Sequence, residues 1–417
     1  MEARLTIRMR NSYLFVVLVA SLASMGQFAI ATYLPAFAVI GADLGATPDQ
    51  VQQTLTAYLV PFALAITWHG AISDAIGRRR FILFGLALFL LASLLCALAP
   101  SIQWLFAGRM LQGFSAGIGI VVGRAMVRDR FDGVQAQQQM ALVAILFSLA
   151  PALAPLCGGW LLPVVGWRGI FAFLAGLSAL LLLGCWRHLG ETLAVEKRQS
   201  LHPLALTRAF AELLRDGPFL LLCLANASVN AAIYLYVLSA PRFVSEHLGL
   251  GAEDFAWLFL PLVGGLLLGS LASHWVAGRM TAAAGVLLGH LLMLLATLVN
   301  IGLCYWLPAG LPWSILALPL FGVGLMLTQP GLQLLALDRF PARRGLAASA
   351  YITLQQLASA LSSAWLVPLL LDSTLYLALG MAALQYLGLL VFFLALRWAS
   401  RYRPPIQAGA SAQMGGP

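Results

Sequence analysis

The groups able to do chemistry in this chain are few, and most of them sit inside apolar runs. Gly113-Phe114-Ser115-Ala116-Gly117 has the G-x-S-x-G spacing that presents a serine nucleophile. Such a serine needs a base. The best-placed histidine, His290, lies five runs further on, and no strand-turn-helix pattern surrounds Ser115. Glycine and serine at this spacing equally serve close packing of membrane helices. Charge chemistry centres on Arg109, several residues inside an apolar run; burial there costs about 2.5–3.5 kcal/mol, so it either finds interior partners or snorkels outward. Proton chemistry falls to Asp74 and to His69, His274 and His290, whose kind titrates near neutral pH, although a lone helix histidine also serves as hydrogen-bonded packing. Hydrogen-bond chemistry falls to Gln27, Tyr33, Tyr58 and Gln112, then to Asn226, Asn230 and Tyr234, and then to Gln329, Gln333, Tyr351 and Gln355. Asn226, Asn230 and Tyr234 recur every four residues and share one helix face. In hydrocarbon an unpaired polar group costs several kcal/mol, so that face meets either a water-filled space or a partner helix.

The elements that position these groups are membrane helices. With 61% hydrophobic residues, 9% charged and a mean hydropathy of +0.90, the chain cannot cover a core with polar surface, which excludes a water-soluble fold. Apolar runs fall at about 13–35, 51–72, 80–98, 104–126, 137–163, 168–188, 218–239, 255–277, 281–306, 312–336, 346–370 and 375–397. Each is long enough to cross a bilayer of about 30 Å and must be helical, because lipid offers the backbone no partner. All 15 acidic residues fall outside these runs. Twenty of the 24 Arg and Lys residues lie on one side, against Arg168 and Arg242 on the other, with Arg109 and Arg124 inside runs. The positive-inside rule then puts both termini in the cytoplasm. The net charge of +9 follows from that orientation and from anionic lipid; no basic soluble domain exists to bind nucleic acid. Arg4, Arg8 and Arg10 before a run ending Ala29-Ile30-Ala31 have the layout of a signal peptide, but the run continues to Pro35 and an uncleaved first helix is expected. The five cysteines lie in apolar runs without metal-ligand spacing, so neither a metal nor a cofactor is expected.

A polar break divides the runs six and six. The expected organisation is a six-helix bundle over 1–188, a linker over 189–217, a second six-helix bundle over 218–400 and a disordered tail over 401–417. In the linker, Leu206, Phe210, Leu213 and Leu214 share a helical face, as in a short helix lying on the membrane surface. Gly77-Arg78-Arg79 is echoed by Gly278-Arg279, and Asp129-Arg130-Phe131 by Asp338-Arg339-Phe340, at offsets of 201 and 209 residues. Matching places in each half favour a duplicated unit.

Several motifs point further. Gly70-Ala71-Ile72-Ser73-Asp74-Ala75-Ile76-Gly77-Arg78-Arg79 has the G-x-x-x-D-x-x-G-R-R spacing found between the second and third helices of the major facilitator superfamily. Physically it reads also as a tight turn with topology-setting arginines. Arg109-Met110-Leu111-Gln112-Gly113 resembles that superfamily's R-x-x-Q-G. Pro151, Pro155, Gly158 and Gly159 resemble the P-x-x-G-G motif of its antiporters; the prolines form either a bendable gate or a static kink. Tyr33-Leu34-Pro35-Ala36, Arg124 to Asp129, Trp167-Arg168-Gly169-Ile170-Phe171 and Glu191-Thr192-Leu193 resemble the Bcr/CflA-type drug-resistance exporters over most of residues 30–195. Those exporters usually carry an acid two positions before the Tyr-Leu-Pro, and here that position is Ala31.

The resemblance implies an all-α membrane protein with the major facilitator fold, twelve helices in two pseudo-symmetric bundles. It implies a monomeric antiporter of a bacterial inner membrane that exports small amphipathic molecules against protons by alternating access. Gly70, Asp74, Gly77, Arg78 and Arg79 would serve gating along with the prolines and glycines of the fifth run. A cavity near the midplane would be lined by the polar residues above, and one buried cation without a carboxylate favours neutral or anionic substrates. An importer of a nutrient or metal-chelate on the same fold, an intramembrane serine protease acting through Ser115, and a non-transporting sensor are the other readings.

Overall fold

A chain this apolar satisfies its backbone inside lipid only by coiling each run on itself, and helices account for nearly all of the computed structural model, which describes residues 2–198 and 202–401. The tail beyond 401 lies outside the described residues. The helices are α1 (Glu2–Ala31), which continues through a 3-10 turn Leu34–Ala36 and a short helix Phe37–Leu44; α2 (Pro48–Ile76); α3 (Arg78–Ala97); and α4 (Ile102–Arg130). A long helix, Gly133–His188, breaks at Gly166 (φ 68°) into α5, 133–165, and α6, 167–188. After the linker helix, Pro203–Arg215, come α7 (Gly217–Arg242), α8 (Ala256–Val276), α9 (Ala282–Trp306), α10 (Ala317–Leu337), α11 (Arg344–Leu361, prolonged by a π turn Ser362–Leu366) and α12 (Thr374–Arg401). Among the described residues ten helices are long and apolar enough to cross a membrane. The break at Gly166 makes two spans of one of these, and the more polar α11 completes twelve.

Local sequence sets the helix starts. Thr47 and Gln50 form a reciprocal capping box ahead of Pro48 (2.9 and 3.2 Å), Thr281 caps α9 (3.2 Å) and Asp216 caps α7 through the Phe219 amide (2.8 Å). Gly77 and Gly278 occupy the same turn in the two halves, both at positive φ (101° and 81°), which gives the faint sequence echo a shared backbone geometry. A side chain on Gly77 would also run into the Glu191 carboxylate.

The first six helices pack on one another, α2 on α4, α1 on α5 and α3 on both α4 and α6; the last six do likewise, α9 on α10, α7 on α12 and α8 on α10. The halves meet along two seams, α2 against α11 and α5 against α8. The linker helix sides with the second half. Leu213 is buried with Phe219 and Ala347, Glu212 pairs with Arg343 (2.8 Å), and Asp216 takes two bonds from Arg339 (2.5 and 2.7 Å). The face expected on lipid is thus partly spent on protein, while Leu214 stays exposed. At the other end of the linker, Glu191 binds the first half. Replacing Gly77 with Ala places a side chain at an essentially glycine-only geometry, a cost of about 1–3 kcal/mol. We expect thermal unfolding of the purified protein to shift down by several degrees in G77A, and to stay within about a degree in Gly45→Asn, where φ is 59° and nothing lies near.

Candidate functional site

Arg109 is fully buried inside the first bundle. Its guanidinium lies between two aromatic rings, 4.2 Å from the Tyr33 centroid and 4.4 Å from that of Tyr58. Nη1 donates to Gln112 Oε1 (2.8 Å) and to Ala29 O (3.1 Å), while Nε and Nη2 have no hydrogen-bond partner. Ala29 belongs to the last turn of α1, which stops at Ala31 before Pro35 and leaves terminal carbonyls free. The cation therefore sits at the negative end of a broken helix. Two desolvated ring contacts, roughly 2 kcal/mol each, are of the size of the insertion cost of about 2.5–3.5 kcal/mol. Snorkelling is unnecessary. Supports follow outward: Gln112 Nε2 to Ser93 Oγ (2.8 Å), Tyr58 OH to Gly26 O (2.9 Å), and Tyr33 OH with Thr54 Oγ1 (3.0 Å).

The remaining polar residues gather mostly on the second half, and one pair reaches across to the first. Tyr234 OH donates to Gln27 Oε1 across the interface (3.3 Å). Asn230 receives Gln329 Nε2 (3.3 Å) and donates to Ser359 Oγ (3.1 Å), and Asn226 donates to Gln355 Oε1 (3.1 Å). Gln27, Tyr234, Gln329, Gln333 and Gln355 are half-buried, whereas Tyr33, Tyr58, Gln112, Asn226, Asn230 and Tyr351 are buried. So α7, α10 and α11 do form one polar face. Arg109, Gln112, Tyr33 and Tyr58 stand back from it in the core of the first bundle.

Hydroxyls that sequence reasoning passed over line the α2–α11 seam: Thr56 with Ser363 (3.1 Å), Thr67 with Thr353 (2.8 Å), and Gln53 Nε2 to Ala364 O (3.1 Å). Their signal was the hydroxyl-rich stretch of α11, which is too polar to face lipid. Thr67 is about 14 Å along the helix from the arginine-rich end of α2, so these bonds hold the seam from the opposite face to beyond its middle. On that opposite face the α5 glycines bring backbones together: a Cβ on Gly158 would overlap the Thr32 carbonyl, and one on Gly159 the Ala252 carbonyl of the second half. Pro155 is buried and Pro151 half-buried, and the helix interior stays regular until Gly166.

At the arginine-rich face the Gly70–Arg79 motif is tied to its own half. Arg78 pairs with Asp74 and with Asp129 (3.1 Å) and donates to Ser73 Oγ (2.6 Å). Glu191 caps α3 from a distance, accepting from the Arg78 and Arg79 amides (3.0 and 3.3 Å), and Arg79 binds the carbonyls of Leu189 (2.7 Å) and Trp186 (2.6 Å). Gly70 is half-buried, with only Val121 near the position a Cβ would take. The histidines scatter. His69 is buried against Phe81 and Phe114, with backbone of Phe114 and Gly117 beside its ring; His290 is held by Gln385 (3.4 Å) between α9 and α12; His274 is exposed. Ser115 spends its hydroxyl on the carbonyls of Leu111 (3.0 Å) and Gln112 (3.1 Å), with His290 in the other bundle, so the residues of the serine-nucleophile reading are not brought together.

The sequence model of the Major Facilitator Superfamily matches residues 16–363. The chain belongs to the major facilitator superfamily. Multidrug resistance protein D of Escherichia coli is 29% identical over 405 residues, 94% of this chain and 98% of that protein. The MFS-type transporter YdgK of Bacillus subtilis is 37% identical over 244 residues, 58% of this chain and 61% of that one, so this alignment spans less than two thirds of the relative. A crystal structure of a peptide transporter superposes with a TM-score of 0.74 over 94% of this chain and 95% of its own at 16% identity, a likeness of fold. The Arg109 sandwich makes its own prediction. Lysine keeps the charge but lacks the planar face and the fork, so Arg109→Lys and Arg109→Ala should both cut flux in proteoliposomes at least about tenfold; wild-type flux in the lysine variant would show that charge alone suffices.

Proposed function

We propose that this protein is a secondary transporter that exports small amphipathic compounds from the cytoplasm of a bacterium in exchange for protons, working as a monomer in the inner membrane with both termini inside. The observation that carries this reading is the pair of six-helix halves meeting along two seams with an uncharged polar face between them. Rocking one half on the other would expose that face to each side in turn. In the described state the seam is bonded from the outer surface inward, and the next step separates the α5 glycines from Ala252 while the inner ends approach. Export and drug substrates are supported by the likeness to multidrug resistance protein D, which extends over nearly the whole chain.

The gating motif would act as a rigid inner latch. Asp74 and Asp129 hold Arg78, Glu191 holds the start of α3, and the assembly moves as one piece when it docks against the second half. Ala31 removes an acid from the first helix, so proton handling falls to Asp74 and His69. They lie five residues apart on α2, whereas His290 lies on α9 against α12 and His274 is exposed.

Deleting the gene should raise sensitivity to amphipathic drugs; loss of uptake of a nutrient instead would mark an importer. Asp74→Asn keeps the shape of the latch but removes its charge. We expect flux to fall at least about fivefold at unchanged expression, by biasing the two states. His69→Gln should keep packing and uncoupled exchange while abolishing the stimulation by an imposed pH gradient, read in everted vesicles with a pH-sensitive dye. Full stimulation in the glutamine variant would remove His69 from proton handling.

A further inference from the structure

Two buried polar atoms stand unpartnered at one end of the polar face. Asn226 is 1% exposed; its Nδ2 donates to Gln355, and its Oδ1 accepts nothing. Tyr351 is 3% exposed, one turn along α11 from Gln355, and its hydroxyl is unpartnered. Tyr351 belongs to the same buried cluster as Cys223, which is three residues before Asn226 on α7. The next rung behaves differently. Asn230 has both amide atoms engaged, by Gln329 and by Ser359. On the polar face, Asn226 Oδ1 and Tyr351 OH thus leave unspent hydrogen-bonding capacity on the rung nearest the cytoplasmic ends of α7 and α11, beside the half-buried Gln355.

We propose that Asn226, Tyr351 and Gln355 bind an uncharged hydrogen-bonding group, an amide or a hydroxyl, on an amphipathic substrate that enters from the cytoplasm. The inference deepens the transport reading and rests on it for the direction of movement. An Asn oxygen accepts, a Tyr hydroxyl donates or accepts, and a Gln amide does both, so a neutral group with one donor and one acceptor satisfies the rung. A charged group finds no opposite charge on these three side chains to offset its loss of water. Arg109 does not change this, because its charge is enclosed within the other bundle by Tyr33, Tyr58 and the end of α1. The anionic option left open by the sequence therefore loses its anchor. The site selects by omission: a ligand lacking the donor leaves Asn226 Oδ1 buried and unpaired.

The test is equilibrium binding to the full chain in nanodiscs, using radiolabelled thiamphenicol (uncharged, with amide and hydroxyl groups) and tetraphenylphosphonium (a lipophilic cation), with melting temperatures in parallel. Wild type should prefer thiamphenicol. Tyr351→Phe should weaken its binding about tenfold without lowering the melting temperature, because the lost hydroxyl has no partner in the free protein. A packing role would instead lower the melting temperature and spare binding. Gln355→Glu should lose thiamphenicol and gain tetraphenylphosphonium about tenfold. The proposal is overturned if wild type prefers the cation or binds neither probe, or if the Phe and Glu variants bind both probes as wild type does. Binding as expected without drug export would overturn the transport direction and leave the site. Export intact with unaltered binding in the variants would overturn the site and leave transport.

Discussion

A guanidinium lies fully buried in the first bundle, and among the described residues no carboxylate pairs with it. Everything around Arg109 in the first bundle answers to that. The rings of Tyr33 and Tyr58 cover its two faces, α1 ends where a carbonyl is needed, and Gln112 is fixed in turn by Ser93. These supports come from α1, α2, α3 and α4, so a single charge ties four helices together. It also explains how the first helix tolerates alanine at residue 31. The half-dipole of a terminated helix supplies part of what an acid would, without a proton to gain or lose.

The two halves share a layout and differ in chemistry. The first is braced by charge at the arginine-rich face, through Asp74, Arg78, Asp129 and Glu191, and by a cation in its core. The second presents amides and hydroxyls; at that face Arg339 and Arg343 pair with Asp216 and Glu212 of the linker, and Arg344 pairs with Asp338. Asp129 and Arg339 come from equivalent short motifs, yet one engages the second-to-third helix turn and the other the start of α7. The halves thus share a helical layout while their side chains pair differently.

The frame was legible in the residues because lipid enforces it. Apolar length, arginine placement and the glycine turns act locally, and the helices begin and end close to where those signals fall. Partners drawn from distant helices were not legible. Nothing local in Glu191 says that it caps α3, and nothing in Tyr33 says that it covers Arg109. Arg109 was placed on a cavity wall by its cost in hydrocarbon, but the same cost is met by rings and a helix end inside one bundle. The hydroxyls of α11 hid in plain view, since Ser and Thr look unremarkable one at a time and gain meaning only opposite α2. Ser115 shows the reverse: a motif complete in letters whose hydroxyl is occupied by its own helix.

The meeting of Gly159 with the Ala252 carbonyl has a mechanical consequence. Main chain rests on main chain there with no side chain interposed, so the two surfaces can part without first disengaging interlocked groups. The barrier to lifting apart is then set mostly by dispersion, which is short-ranged and forgiving of small rotations. Along the other seam, the hydroxyl pairs of α2 and α11 are directional bonds that would have to exchange for water to part. One contact between the halves is thus slippery and the other sticky.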